Sequence, residues 1–161
     1  MQFEILMAQQ QDVDLLVRHR LGMFCDIFPQ LEAQVQSSKE RTHEWIKRKM
    51  IEGILVGFIA KTKEGQVAGS GCLWIREEQP RPTTTVMKAP YLMSIYTEKP
   101  FRRSGVARRI VLSAIVWARE HGFDRINLHS SEAGKPLYRS LGFEPTNEMR
   151  LMLDQSKPQT C

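Results

Sequence analysis

Cysteine is scarce in this sequence, and its few cysteines do not suggest a pattern. Cys25, Cys72 and Cys161 are odd in number and far apart. They fit neither a disulfide framework nor a zinc-ligand spacing, so reduced, structural thiols and no metal site are expected. Long apolar runs are missing too: none reaches the roughly 18 residues that a membrane-spanning helix needs. The opening MQFEILMAQQQDVDLL lacks the basic start and apolar centre of a secretory signal. The expectation is a cytoplasmic protein with no membrane partner. The sequence has no internal repeat, no low-complexity tract, no G-x-x-x-x-G-K-[ST] phosphate loop and no G-x-G-x-x-G dinucleotide loop.

What is present is a globular balance. The chain has 161 residues, 42% hydrophobic and 25% charged, enough for one domain with its own core. We expect a single domain over 1–161, with 154–161 frayed. The net charge is +5, and its distribution says more than its size. Basic residues gather at Arg102, Arg103, Arg108 and Arg109, with a weaker group at Lys47, Arg48 and Lys49. A nucleic-acid binder would show a wider basic face interleaved with aromatics. The compact cluster points instead to a local anion site and to no nucleic-acid partner.

Periodicity supplies the elements. FEILM (3–7) reads as a first strand. DVDLLVRHRLGMF places Val13, Leu16, Val17, Leu21 and Phe24 at helical spacing behind Asp12 as cap. A second helix is expected from Ser38 to Glu52. Two strands, 54–61 and 66–76, flank TKEGQ, a hairpin turn with Gly65 at positive φ. Three prolines make 76–90 an irregular segment, and YLMSIYT (91–97) is strongly strand-forming. From Gly105 to His121 one broad apolar face repeats, stopped by Gly122. RINLHS (125–130) is a strand, AGKPLYRSLGF a short helix ended by Gly142, and EMRLML (148–153) a last strand. The order is β-α-α-β-β-β-α-β-α-β. The crossover over 91–130 requires parallel pairing and the earlier hairpin antiparallel pairing. The fold class is α+β, a mixed sheet with helices on both faces.

The arginine cluster therefore sits between a strand and a helix. A helix N-terminus exposes unpaired N–H groups at the positive end of its dipole, which favours phosphate. Gly105 lets a ligand approach the backbone, and Ala107 is nearly as small. Arginine adds fixed-fork contacts. RRSGVARR thus makes sense as a cradle for a multiply charged phosphate, the alternative being a helix start with a solvated basic surface.

Arg102-Arg103-Ser104-Gly105-Val106-Ala107 resembles the Q/R-x-x-G-x-G/A loop of the GNAT superfamily of acyl-CoA-dependent N-acetyltransferases, which follows that family's fourth strand. SEAGKPLYRSLGF (131–143) is similar to the family's later N-x-x-A-x-x-L-Y-x-x-x-G-F pattern, with Ser131 for the usual asparagine and Gly134 for the usual alanine. The resemblance is strong over 90–153 and topological over 1–89. It implies a splayed sheet and acetyl-CoA as co-substrate. Arg102, Arg103, Ser104, Gly105, Val106, Ala107 and Arg108 would wrap the pyrophosphate, mostly by backbone N–H. The main chain at Ile95, Tyr96 and Thr97 would pair with the pantetheine arm like an added strand, and Ser131 would add a contact. Tyr138 falls on the family's frequent general acid, its alternative role being a core aromatic.

Acetyl transfer also needs the amine deprotonated, since a lysine-like ammonium has a pKa of about 10.4. The strand 91–97 carries no carboxylate. Glu98 reads as a surface residue, and Glu77 and Glu78 are weaker candidates in the irregular segment. His129 has a suitable pKa, near 6.5, with a structural histidine or a water chain as alternatives. Met23, Phe24 and Phe28 could wall an acceptor pocket or pack in the core. The leading expectation is an N-acetyltransferase acting on a primary amine of a small molecule or peptide, with a homodimer compatible. A non-catalytic acyl-CoA-binding regulatory module is the alternative.

Overall fold

The structure is a computed structural model and describes residues 2–152. Five strands form one mixed sheet in the order β1-β2-β3-β4-β5: β1 (Phe3–Met7), β2 (Leu55–Thr62), β3 (Val67–Glu77), β4 (Lys88–Thr97) and β5 (Asn127–Leu128). The first four pair antiparallel and β5 pairs parallel with β4. The expected hairpin joins β2 to β3, with Gly65 at φ 83°. Helices cover both faces, and among the described residues none is long and apolar enough to cross a membrane.

The two faces have separate cores. On one, α1 (Val13–Ile27) and α3 (Lys39–Ile51) bury Val13, Leu16, Val17, Leu21 and Ile46 against Leu55 and Cys72. On the other, α4 (Val106–Glu120) sets Val106, Ile110, Val111, Ala114 and Ala118 against Phe58, Ala60, Leu73 and Leu92. The stripe expected from the helical period is the buried one. Each large aliphatic side chain withdrawn from water here contributes roughly 1.5–3 kcal/mol. Cys25 and Cys72 are free thiols, and burial pushes the Cys72 thiol up to about 12, which leaves it inert as a nucleophile. Cys161 lies outside the described residues.

Three differences from the sequence reading stand out. A short helix, α2 (Glu32–Ser37), precedes α3. β4 begins at Lys88 and takes in Pro90 opposite Ile75. Residues 148–152 form no strand and are exposed, unpaired with β5 at the sheet edge. Leu153 and the tail expected to fray, 154–161, lie outside the described residues.

Strands β3 and β4 are not in simple register. Ser70 pairs with Tyr96 but Cys72 with Met93, so Gly71 faces two residues, Ser94 and Ile95. Ser94 takes φ 58°, which puts an extra residue into β4 as a bulge. Met93 packs on the α1 side, and Ser94 also turns there, toward Arg20. Ile95 returns to the α4 side. The glycines of VAGSG make room for this. A Cβ on Gly71 would lie 2.3 Å from Ile95 Cδ1, and one on Gly69 would lie 2.4 Å from the Tyr96 carbonyl oxygen. The second obstacle is backbone and cannot swing aside. Gly69→Ala is therefore expected to cost about 1–3 kcal/mol, read as a lowered urea midpoint; an unchanged midpoint would show that β3 and β4 can part there without loss.

Candidate active site

The chain leaves β4 at Thr97 and is tied down at once, Glu98 N donating to Ala68 O at 2.9 Å. A 3-10 turn, Lys99–Phe101, follows with Pro100 inside it. Arg103 (φ 62°) and Gly105 (φ 87°) then turn the backbone left-handed into α4. A Cβ on Gly105 would meet nothing within 4 Å, so glycine is there for its φ, and the turn faces open space. Arg109 N donates to Gly105 O at 3.1 Å. The amides of Val106, Ala107 and Arg108 have no acceptor among the described residues. Three unpartnered N–H groups thus point outward at the positive end of a 15-residue helix.

The arginines do not all converge on that turn. Arg103 and Arg109 are exposed, with no carboxylate on them among the described residues. Arg108 Nη1 donates to Ser140 Oγ at 2.9 Å. Arg102 reaches toward α1 instead: Nε donates to Thr97 O at 3.1 Å, the guanidinium pairs with Asp26, and it lies 5.7 Å from the Tyr96 ring. Ser104 Oγ donates to Phe101 O at 2.5 Å, closing the turn.

Beside the turn, the sheet opens. β4 and β5 pair only at Tyr91–Asn127 and Leu92–Leu128, so β5 is shorter than the expected 125–130. Ile95, Tyr96 and Thr97 lie past the last of these pairs. Tyr96 turns to α1, where a Cβ on Gly22 would be 3.1 Å from its ring.

Across the opening, α5 (Lys135–Ser140) carries Tyr138. Its ring meets Phe143 edge-on at 5.7 Å, and its hydroxyl has no hydrogen-bond partner among the described residues. Burial raises its pKa above 10.0, so it keeps its proton at neutral pH. The helix leading to it explains the two departures from the motif. Gly134 N donates to Ser131 Oγ at 3.2 Å and to Ser131 O at 3.0 Å, so Ser131 caps the turn. An alanine at 134 would bring its Cβ within 3.1 Å of Tyr138 Cε2.

A groove of about 720 Å³ runs past Tyr138 along Ile126, Leu128, His129 and Ser130. His129 is exposed, and both ring nitrogens are engaged: Nδ1 with the Tyr91 hydroxyl, Nε2 with Glu148 at 3.1 Å. Glu78 lies in the same groove, hydrogen-bonded by Arg125 at 2.5 Å and Asn127 at 3.2 Å. The Arg125 hydrogen bond holds its carboxyl below the usual range, so it is a weak base. Met23, Phe24 and Phe28 lie outside this groove, the first two on the last turns of α1 and Phe28 just past its end, with Phe24 stacked on Phe28 at 6.5 Å.

Sequence reasoning missed a polar cluster on the α1 side of β4. His19 is buried, with Nδ1 2.8 Å from Ser70 Oγ and Nε2 3.0 Å from Glu98. Glu98 also pairs with Arg18 at 3.2 Å, so it is a half-buried network member and not the surface residue expected. Arg20 Nη1 donates to Ser94 Oγ at 2.8 Å. The signal was legible: RHR places a polar residue, His19, on the stripe marked by Leu16 and Val17.

A family model described as the Acetyltransferase (GNAT) family matches residues 22–143, well over half the chain. The chain belongs to the GNAT acetyltransferase family. Solved structures of this fold include a GCN5-related N-acetyltransferase from Ralstonia eutropha JMP134, 24% identical, covering 94% of this chain and 99% of that one at TM-score 0.86. A predicted acetyltransferase from Clostridium acetobutylicum, solved with acetyl-CoA, is 24% identical, covers 95% and 96%, and superposes at TM-score 0.82. AAC(6')-Iy, solved with a bisubstrate analogue, CoA-S-monomethyl-acetylneamine, is 18% identical over 96% and 99% at TM-score 0.68. No curated protein matches the sequence. In this GNAT chain the mixed sheet and its splay agree with the expectation, with five strands among the described residues where six were expected.

Burial lowers the His19 pKa below 6.5, against the opposing pull of Glu98. The unfolded chain therefore binds this proton more tightly than the folded one, and stability rises with pH where that holds. The penalty is absent above about pH 6.5 and grows as the pH falls through it. Denaturation midpoints from pH 7.5 to 5 should fall in the wild type and fall less steeply in His19→Gln; equal slopes would remove His19 as the cause.

Proposed function

We propose that this GNAT protein transfers an acetyl group from acetyl-CoA to a primary amine by direct attack. The observation that carries the reading is the set of free amides of Val106, Ala107 and Arg108, set just beyond the point where β4 loses its β5 partner. Three N–H donors at a helix N-terminus suit a pyrophosphate, with Arg103, Ser104, Gly105 and Arg108 completing the turn. The open stretch Ile95, Tyr96 and Thr97 offers main-chain groups to the pantetheine amides.

In the step itself, the amine nitrogen attacks the thioester carbonyl carbon, a C–N bond forms and the C–S bond breaks. Holding both reactants along β4 supplies much of the rate. The Tyr138 hydroxyl, still protonated and without a protein partner, donates its proton to the departing thiolate. The amine's proton passes through water and the Tyr91 hydroxyl to His129 Nδ1, with Glu148 accepting from Nε2. Ser131 serves the site by fixing the turn that carries Tyr138.

Tyr138→Phe should lower kcat by about 10²-fold or more with CoA affinity retained, measured as thiol release from acetyl-CoA over an amine panel. An unchanged kcat removes the acid role. Thermal shift with CoA beside ATP, NAD and RNA tests the ligand: CoA alone should raise the melting temperature. Thiol release no faster than hydrolysis across the panel would favour the non-catalytic module.

The same reading includes a homodimer. Met149, Leu151 and Met152 are 94%, 81% and 80% exposed, and β5 pairs only with β4 among the described residues. A chain segment of alternating pattern and an open edge support pairing between copies. Sedimentation should show a dimer that the double change Met149→Lys, Leu151→Lys converts to monomer; a wild-type monomer at micromolar concentration sinks the idea.

A further inference from the structure

Three arginines are half-buried in this fold, and their surroundings differ. Arg125 is held by Glu78 at 2.5 Å and Asp124 at 2.6 Å. Arg76 lies over two rings, Tyr91 at 4.0 Å and Trp74 at 5.6 Å. Arg20 has neither arrangement. Among the described residues no carboxylate lies within 4.0 Å of it. Its single hydrogen bond is Nη1 to Ser94 Oγ at 2.8 Å, and one ring, Phe24, lies 4.9 Å from its carbon centre. The acids of the surrounding network are already taken: Glu98 by Arg18 and His19, Asp26 by Arg102.

A guanidinium has five N–H donors and cannot shed its charge. Withdrawing it from water without a counter-ion is costly, and burial works against the charged form here. Yet its spare donors are not sealed in. Arg125 Nε is the fully buried side-chain nitrogen or oxygen left without a partner among the described residues, so the unpaired nitrogens of the half-buried Arg20 keep some contact with solvent. They do so beside the Ser94 bulge, where β4 has just parted from β5. A half-desolvated cation with a free edge, fixed by a hydroxyl and a ring, is suited to take an oxyanion in fork geometry.

We propose that Arg20 anchors a carboxylate or phosphate carried by the acceptor, so that the substrate is an anionic amine and not a neutral one. The proposal rests on the acetyl-transfer reading for what the amine does next, but the anchor itself binds whether or not transfer occurs. Phe24 would flank the bound anion's carbon skeleton, and Ser94 would hold the guanidinium edge-on to it.

The test is calorimetric titration of amino acids and aminoalkyl phosphates, each beside its neutral carboxamide or alcohol counterpart, with and without saturating CoA. One anionic series should bind at least tenfold more tightly than its neutral match, and which series does so identifies the oxyanion. Arg20→Gln, which keeps a donor for Ser94, should abolish the preference, and Arg20→Lys should retain part of it, both at unchanged CoA affinity. Equal binding of anionic and neutral members overturns the proposal. So does failure of every anionic member to bind at millimolar concentration, or a preference that survives in Arg20→Gln. Failure of CoA itself to bind would instead count against the acetyl-transfer reading, since the titrations without CoA still report on the anchor.

Discussion

The site depends on one residue held where side chains rarely go. Ser94 at φ 58° carries of order 1–3 kcal/mol of backbone strain, and the rest of β4 is arranged around it. The bulge lets Met93 and Ser94 face α1 in succession, while Ile95 keeps its place in the α4 core. It persists because it is over-determined: Arg20 bonds its hydroxyl, and the glycines at 69 and 71 leave no Cβ in the way. Remove the bulge and every residue beyond it would change face, taking Tyr96 out of its contact with Gly22 and His19.

Two consequences follow for chemistry. The first is geometric: a strand kinked at Ser94 can pair with β5 only before that point, so the parting of the sheet and the bulge belong together. The second is electrostatic. The turn after β4 ends with free amides of α4 facing outward, while Arg102 is drawn to Asp26 on α1. The positive charge left free at the turn is thus that of the backbone dipoles and of the exposed Arg103 and Arg109, not of the whole cluster that the sequence displays, since Arg102 and Arg108 are turned to other partners.

Much was legible because local rules were strong. Helical period located α1, α3 and α4, Gly65 marked a left-handed turn, and two spaced motifs carried the family resemblance; the left-handed φ of Gly105 came only with the structure. Other features were hidden for identifiable reasons. β5 shrank to two residues because neighbouring pairing, not propensity, decides strand length. The 148–152 segment has strand pattern but does not pair with the β5 edge, because pattern alone does not supply a partner. Glu98 looked like a surface residue because its neighbours in the fold, Arg18 and His19, are distant in the chain.

By itself the sequence determined the longer helices, the first four strands and the apolar faces, since each follows from periodicity over a few adjacent residues. Only the tertiary structure decided which polar groups meet: His19 with Ser70 and Glu98, Arg20 with Ser94, Arg102 with Asp26. Those contacts join residues from α1 to β3, β4 and the turn after it. No local signal specifies such partners, because packing α1 against the sheet is what brings them within hydrogen-bond reach.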